Sequence, residues 1–233
     1  MWKTNVKDMI LYEDRQILVC HKPSGLAVQN ARIGTMDMES ALKNYLAKEN
    51  PEEMPYLGII HRLDQPVEGI LVFAKTSNAA AGLNRQMAKN EIEKRYLAVS
   101  DRIPQKKEGE LEDYLKRDGR SNSSVVVKPG TAGSKKARLA YRVMQVLEDK
   151  RTGTGARCLL EIRLETGRHH QIRVQMSHAG IPLVGDRKYY ADDVSGLSLG
   201  LCSVMVGFRH PATGKRLEFS TVPAGDAFRG FAV

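Results

Sequence analysis

Apolar residues in this chain come in short runs broken by turn-forming residues, with a few stretches where they recur at helical spacing instead. Gln16 to Cys20 reads as a short buried strand. Lys22-Pro23-Ser24-Gly25 then makes a hairpin or sharp corner, since proline fixes φ and glycine is permissive. Met38, Ala41, Leu42, Tyr45 and Leu46 share one helical face, and Asn50-Pro51 ends that helix. Gly69 to Lys75 is an apolar, β-prone run, after which Ser77 is placed to cap a helix striped by Ala80, Leu83 and Met87. Arg95 to Ser100, Val125 to Lys128, Leu139 to Leu147, Cys158 to Leu164, Ser203 to Phe208 and Arg216 to Ser220 read as strands. Most are joined by short turn-rich segments without crossover helices, which predicts an α+β fold with a mixed, largely antiparallel sheet.

One segment departs from the strand pattern. After Thr166-Gly167, Ile172, Met176 and Ala179 lie on one helical face and Gly180 closes the element, which predicts a short helix with Arg168, His169 and His170 in its first turn. Cations there oppose the helix dipole, so local stability did not select them. The polar stretch Gly130 to Lys136, including Lys135 and Lys136, resembles a phosphate cradle only superficially: it lacks the P-loop spacing and reads as a flexible basic loop.

The chain has 233 residues, 42% of them hydrophobic and 27% charged, enough for one or two compact domains with a sizeable core. Its longest unbroken aliphatic or aromatic run, Ile70 to Ala74, is far short of the roughly 20 residues that span a bilayer. The N-terminus, interrupted by Lys3, Lys7 and Asp8, lacks the pattern of a signal peptide, so cytoplasmic residence is expected. Cys20, Cys158 and Cys202 are odd in number and far apart, which predicts reduced core thiols. The net charge is +9, and the surplus is localised: residues 85 to 190 hold 23 Lys+Arg against 13 Asp+Glu. A basic face for a polyanion follows, with nucleic acid the leading partner.

His61-Arg62-Leu63-Asp64 precedes the buried strand from Gly69 and should form an irregular loop at the lip of the sheet, where catalytic groups are commonly carried. By itself the pattern is weak evidence, and ordinary surface salt-bridging explains it. Together with Gly69-Ile70-Leu71-Val72-Phe73-Ala74-Lys75, Lys94-Arg95-Tyr96 and Thr166-Gly167-Arg168-His169-His170-Gln171-Ile172-Arg173, it resembles the three signature motifs of the RluA-type pseudouridine synthases. Lys22-Pro23-Ser24-Gly25-Leu26, Gly180 to Asp186 and His210-Pro211-Ala212-Thr213-Gly214 match family positions as well, so the resemblance covers about residues 10 to 223.

The resemblance implies a single catalytic domain over residues 1–233, built on a bent, mostly antiparallel mixed sheet with flanking helices and a central RNA-binding cleft. It implies isomerisation of uridine to pseudouridine in ribosomal or transfer RNA, a reaction without net redox or hydrolysis that needs no cofactor and no metal. Asp64 matches the catalytic aspartate, acting as nucleophile or as the group that assists glycosidic cleavage and ribose deprotonation. Arg173 matches the cation paired with it, which favours the ionised carboxylate. Tyr96 matches the tyrosine against the target base, where it stacks and takes the final proton. Arg62 matches the arginine that occupies the place of the flipped uridine. Arg168, His169 and His170 are then candidates to hold phosphates, with Lys135 and Lys136 adding charge.

Departures from the family pattern lie outside these positions. Val67-Glu68 stands where many members have Thr-Ser, and Gln175 and Cys202 replace frequent histidines, which bears on the pocket wall and RNA choice. No room precedes the first strand for the small N-terminal RNA-binding (S4) domain of many relatives, so the catalytic domain is expected to recognise RNA itself, as a monomer. Two rival classes have less support. A metal hydrolase built on His61, His169, His170 and His178 lacks both the H-E-x-x-H arrangement and a cysteine set. A catalytically silent RNA-binding or ribosome-assembly protein shares the charge and the scaffold, but all three catalytic positions are filled.

Overall fold

The structure is a computed structural model that describes residues 5–30, 35–48 and 54–233. In chain order its elements are β1 (Ile10–Glu13), β2 (Ile17–Lys22), α1 (Met38–Ala47), β3 (Gly58–Ile59), β4 (Glu68–Ala74), α2 (Ser77–Ala88), β5 (Glu93–Ser100), β6 (Glu108–Asp118), β7 (Ser123–Val127), β8 (Lys135–Glu148), β9 (Ala156–Leu164), α3 (Gln171–His178), β10 (Leu201–Arg209) and β11 (Arg216–Ser220). The chain forms two compact units, Met1–Lys94 with Ser203–Thr221, and Arg95–Cys202 with Val222–Val233.

In the first unit the strands run β1-β2-β4-β10, with β3 on β4 and β11 on β10. The β2–β4 ladder is antiparallel from Ile17 opposite Ala74 to Lys22 opposite Gly69, so Ile17, Val19, Ile70, Val72 and Ala74 share one face. That face packs on Ala79, Ala80 and Leu83 of α2, and these residues are buried as one apolar cluster. Gly69 has φ +126, and a Cβ there would run into the backbone of Ser203, so β4 tolerates only glycine at that point. Thr76, rather than Ser77, caps α2: its backbone is extended and its hydroxyl accepts the N–H of Ala79. Asp37 caps α1 in the same way through the N–H of Ser40. The Asn50-Pro51 helix stop lies outside the described residues, where α1 has already ended at Ala47.

In the second unit the order is β5-β9-β8-β6-β7, antiparallel throughout. One face carries α3, whose Val174 packs against Leu115 and Ala137. The opposite face is a lattice of paired charges, including Lys136 with Glu112 at 2.8 Å and Arg142 with Glu161 at 3.3 Å. Two expectations are corrected here. Lys135 and Lys136 belong to β8, opposite Leu115 and Tyr114 of β6, and not to a flexible loop, because the neighbouring strand recruits them into its ladder. Arg168, His169 and His170 precede α3 instead of forming its first turn; His170 adopts the left-handed conformation (φ +53) that ends the approach and starts the helix at Gln171.

All three cysteines are buried and none forms a disulfide, as expected, and burial pushes the Cys158 thiol up to about 12. Among the described residues no helix is long and apolar enough to cross a membrane.

Candidate active site

The first unit supplies the loop that carries Arg62 and Asp64, and this loop is fastened at both ends. At its start, Ile60 donates its backbone N–H to the carbonyl of Val72 at 3.4 Å, and the ring Nε2 of His61 accepts the N–H of Val72 at 3.3 Å. The histidine of the motif is thus a buried strand cap. Burial, with the Lys94 ammonium adding to it, pushes His61 down to about 3, so the ring stays neutral and able to accept. At its end, Val67 donates to the carbonyl of Asp64 at 3.0 Å, turning the chain into β4.

The other fastening is a lysine. Lys22 is fully buried at the end of β2, on the face it shares by alternation with Leu18 and Cys20. Its ammonium donates to three carbonyls, those of Pro23 (2.9 Å), Leu26 (2.7 Å) and Gln65 (2.9 Å). Gly25 reinforces the same clamp: its N–H reaches the Gln65 carbonyl at 2.9 Å, and its own carbonyl takes the Gln65 amide at 3.0 Å. Gly25 needs its φ of +84 for this turn. Burial pushes Lys22 down to about 7, while Asp64 and Glu68 pull it up, so the charge of Asp64 is felt at Lys22. Asp64 itself is half-buried and Arg62 is exposed, its Nη2 donating to the side chain of Gln29 at 2.8 Å. Glu68, one of the departures from the family pattern, is a buried carboxylate at the start of β4.

The second unit supplies the remaining candidates. Tyr96 lies in β5 opposite Ile162 and is 6% exposed. Arg173 projects from α3 with its side chain 6% exposed, and binds Asp186 by two parallel bonds, Nε to Oδ2 at 2.8 Å and Nη2 to Oδ1 at 2.7 Å. The segment before α3 is ordered by Gln171, whose side-chain oxygen accepts the N–H of Arg168 (2.9 Å) and the hydroxyl of Thr166 (2.8 Å). Arg168 is exposed and its Nε donates to the carbonyl of Lys136 at 3.0 Å, which brings these two predicted RNA contacts together. His169 and His170 stack with centroids 3.8 Å apart; His169 bonds Ser124 Oγ at 3.0 Å, whereas His170 is buried and bonds the Tyr189 hydroxyl at 2.8 Å. His178 instead faces Asp113, at 3.0 Å. Among the described residues no group of three or more His, Cys, Asp or Glu side chains is placed to hold a metal.

Sequence reasoning assigned no role to Lys22, Asp186 or Tyr189. For Lys22 a signal existed: the period-two alternation of a buried strand points this lysine inward, which demands partners. Asp186 and Tyr189 act through pairings far apart in sequence, which no local pattern reveals.

Comparison with known proteins identifies the family. Residues 16–178 match the RNA pseudouridylate synthase family model. The chain is 32% identical to the uncharacterized RNA pseudouridine synthase YlyB of Bacillus subtilis, over 90% of this chain and 67% of that protein. It is 34% identical to ribosomal large subunit pseudouridine synthase D of Haemophilus influenzae, over 92% and 67%. In fold it resembles the human protein RNA Pseudouridylate Synthase Domain Containing 4, with a TM-score of 0.73 at 20% identity, covering 94% of this chain and 90% of that one. The chain belongs to the RNA pseudouridylate synthases, a family of isomerases, and within them to the RluA type.

Proposed function

We propose that this chain isomerises a uridine of ribosomal RNA to pseudouridine, with its two units working as one catalytic domain. In this reaction the N1–C1′ glycosidic bond breaks, the uracil turns, a C5–C1′ bond forms, and C5 loses the proton while N1 gains one. Asp64 supplies the carboxylate at C1′ or the ribose. Tyr96 lies against the base and takes the C5 proton. Arg173 pairs with Asp64 and favours its ionised form. Arg62 enters the RNA in place of the flipped uridine. Arg168, Lys135 and Lys136 hold phosphates, with His169 beside them.

The observation that carries this reading is the fastening of the Asp64 loop: a half-buried carboxylate held between a buried lysine clamp and a histidine strand cap is pre-organised for chemistry on a bound group. Ribosomal RNA is favoured over transfer RNA by the names of the relatives that act on the large ribosomal subunit. The protein works as a monomer in the cytoplasm. Tritium release from RNA labelled at uridine C5 tests the activity, since an isomerase must free that hydrogen and a binding protein does not. Mapping pseudouridines in ribosomal and transfer RNA of cells with and without the protein tests the substrate.

A further inference from the structure

Arg173 does not take its position from α3 alone. A buried guanidinium is costly unless its charge and donors are met, and Asp186, with a side chain 1% exposed, meets them along one edge. The two parallel bonds use Nε and Nη2, so they fix the guanidinium plane as well as its location. Asp186 is itself immobilised, because its Oδ1 also accepts the backbone N–H groups of Lys188 (3.1 Å) and Tyr189 (3.2 Å). The preceding Gly185 has φ +73, and a Cβ there would collide with the backbone of Ser198, so the chain enters this turn by a path that only glycine allows.

Tyr189 closes the arrangement from another side. Its ring centre is 5.2 Å from the Arg173 guanidinium carbon, within cation–π range. Its hydroxyl accepts the N–H of Ser124 at 2.8 Å and bonds His170 at 2.8 Å, and its carbonyl accepts from Ser177 Oγ at 2.7 Å. The tyrosine therefore ties together β7, the residue that starts α3, and the last turn of that helix.

We propose that Asp186 and Tyr189 are positioning residues for Arg173: the carboxylate sets the guanidinium plane, and the ring, latched by its hydroxyl, keeps the guanidinium from swinging away. The proposal rests on the reading of Arg173 as the partner of the catalytic aspartate. A guanidinium has five N–H donors, and the Asp186 pair takes two of them on a single edge, which aims the rest in a direction set by Asp186. Misplacement of such a group by about 1 Å costs up to about a hundredfold in rate.

The test compares Asp186→Asn, Tyr189→Phe and Arg173→Met in the full chain, by single-turnover rate, KM for RNA and thermal midpoint. Asp186→Asn keeps the shape but loses the paired charge, and we expect its rate to fall about tenfold to a hundredfold with KM within about threefold of wild type. Tyr189→Phe keeps the ring and removes the latch, and is expected to lose rate severalfold with little change in thermal midpoint. Should Asp186→Asn fail to fold, Tyr189→Phe still decides. Wild-type single-turnover rates in both folded variants, whatever their thermal midpoints, would overturn the positioning role and make the pair purely structural. The Arg173→Met arm separates the two levels: if it is inactive while the other two are normal, only the positioning proposal fails, and if it is active the reading of Arg173 fails as well.

Discussion

The imidazole of His61 takes the place of a strand carbonyl, its Nε2 accepting the backbone N–H of Val72 at 3.3 Å. This extends the β3–β4 pairing by one residue and delivers the chain to Arg62 and Asp64 from a fixed point. The bond requires a neutral ring, since a protonated imidazole has no acceptor.

A pH dependence of stability follows. His61 is held down to about 3 in the folded protein against an ordinary 6.5, so the unfolded chain takes up the proton first as the pH falls. The contribution is whole above about pH 6.5 and is lost as pH falls toward about 3, at no more than about 1.4 kcal/mol per pH unit for one proton. His61→Ala should cost roughly 1–3 kcal/mol at pH 7 by orphaning the Val72 N–H, and should flatten the pH dependence between 6.5 and 4.5. Urea unfolding at several pH values measures both, and identical slopes in wild type and variant would contradict the assignment.

Lys22→Met keeps the length of the side chain but removes the donor shared by the carbonyls of Pro23, Leu26 and Gln65, of which Gln65 keeps the N–H of Gly25. We expect a loss on the order of 3 kcal/mol in unfolding free energy and a lower turnover, because the Gln65 carbonyl anchors the residue next to Asp64. Unfolding and single-turnover assays on the same preparation check both effects; a stable variant with full turnover would show that the clamp is dispensable.

Which parts of this were legible beforehand depends on where the causes lie. β2, β4, β5 and α1 announce themselves because their own apolar spacing matches the face they bury. β6 (Glu108–Asp118) was not anticipated: it is rich in acidic residues on one face, and becomes a strand because β7 and β8 pair with it on either side. The two residues of β3 are too few to carry any pattern. The candidates Arg62, Asp64, Tyr96 and Arg173 come from motif resemblance, whereas the residues that hold them are read mainly from the structure. The alternation of β2 turns Lys22 inward but does not name the backbone carbonyls it meets, and Asp186 works through a partner on another element, which leaves no mark in local spacing.

Arg62 is exposed, and among the described residues its guanidinium bonds the side chain of Gln29, so its reach toward RNA is not restrained by the core. Arg62→Ala should cripple the enzyme on an RNA whose target uridine is stacked, and should be largely rescued where that uridine is already splayed out. Equal losses on both RNAs, with a flatter salt dependence, would make Arg62 a backbone contact.

The two adjacent lysines of β8 should behave differently. Lys136 is already set against Glu112 at 2.8 Å, while Lys135 has no carboxylate partner among the described residues. Lys135→Ala should weaken RNA binding across sequences and reduce the slope of log K against log salt by about 0.7, the value for one phosphate on a single strand. Lys136→Ala should change the slope less. Binding titrations at several salt concentrations resolve the two, and the reverse order would contradict this view of the two lysines.

In the proposed reaction the carboxylate of Asp64 performs the isomerisation on a loop built to hold it. Its most direct measurement is tritium release from uridine-C5-labelled ribosomal RNA by wild type and Asp64→Asn, with RNA binding measured in parallel. Release by the wild type, none above background by the variant and nearly unchanged binding are expected, because phosphate contacts supply most of the affinity. Release by Asp64→Asn at a rate approaching wild type, or no release by a wild type that binds the RNA, would contradict it.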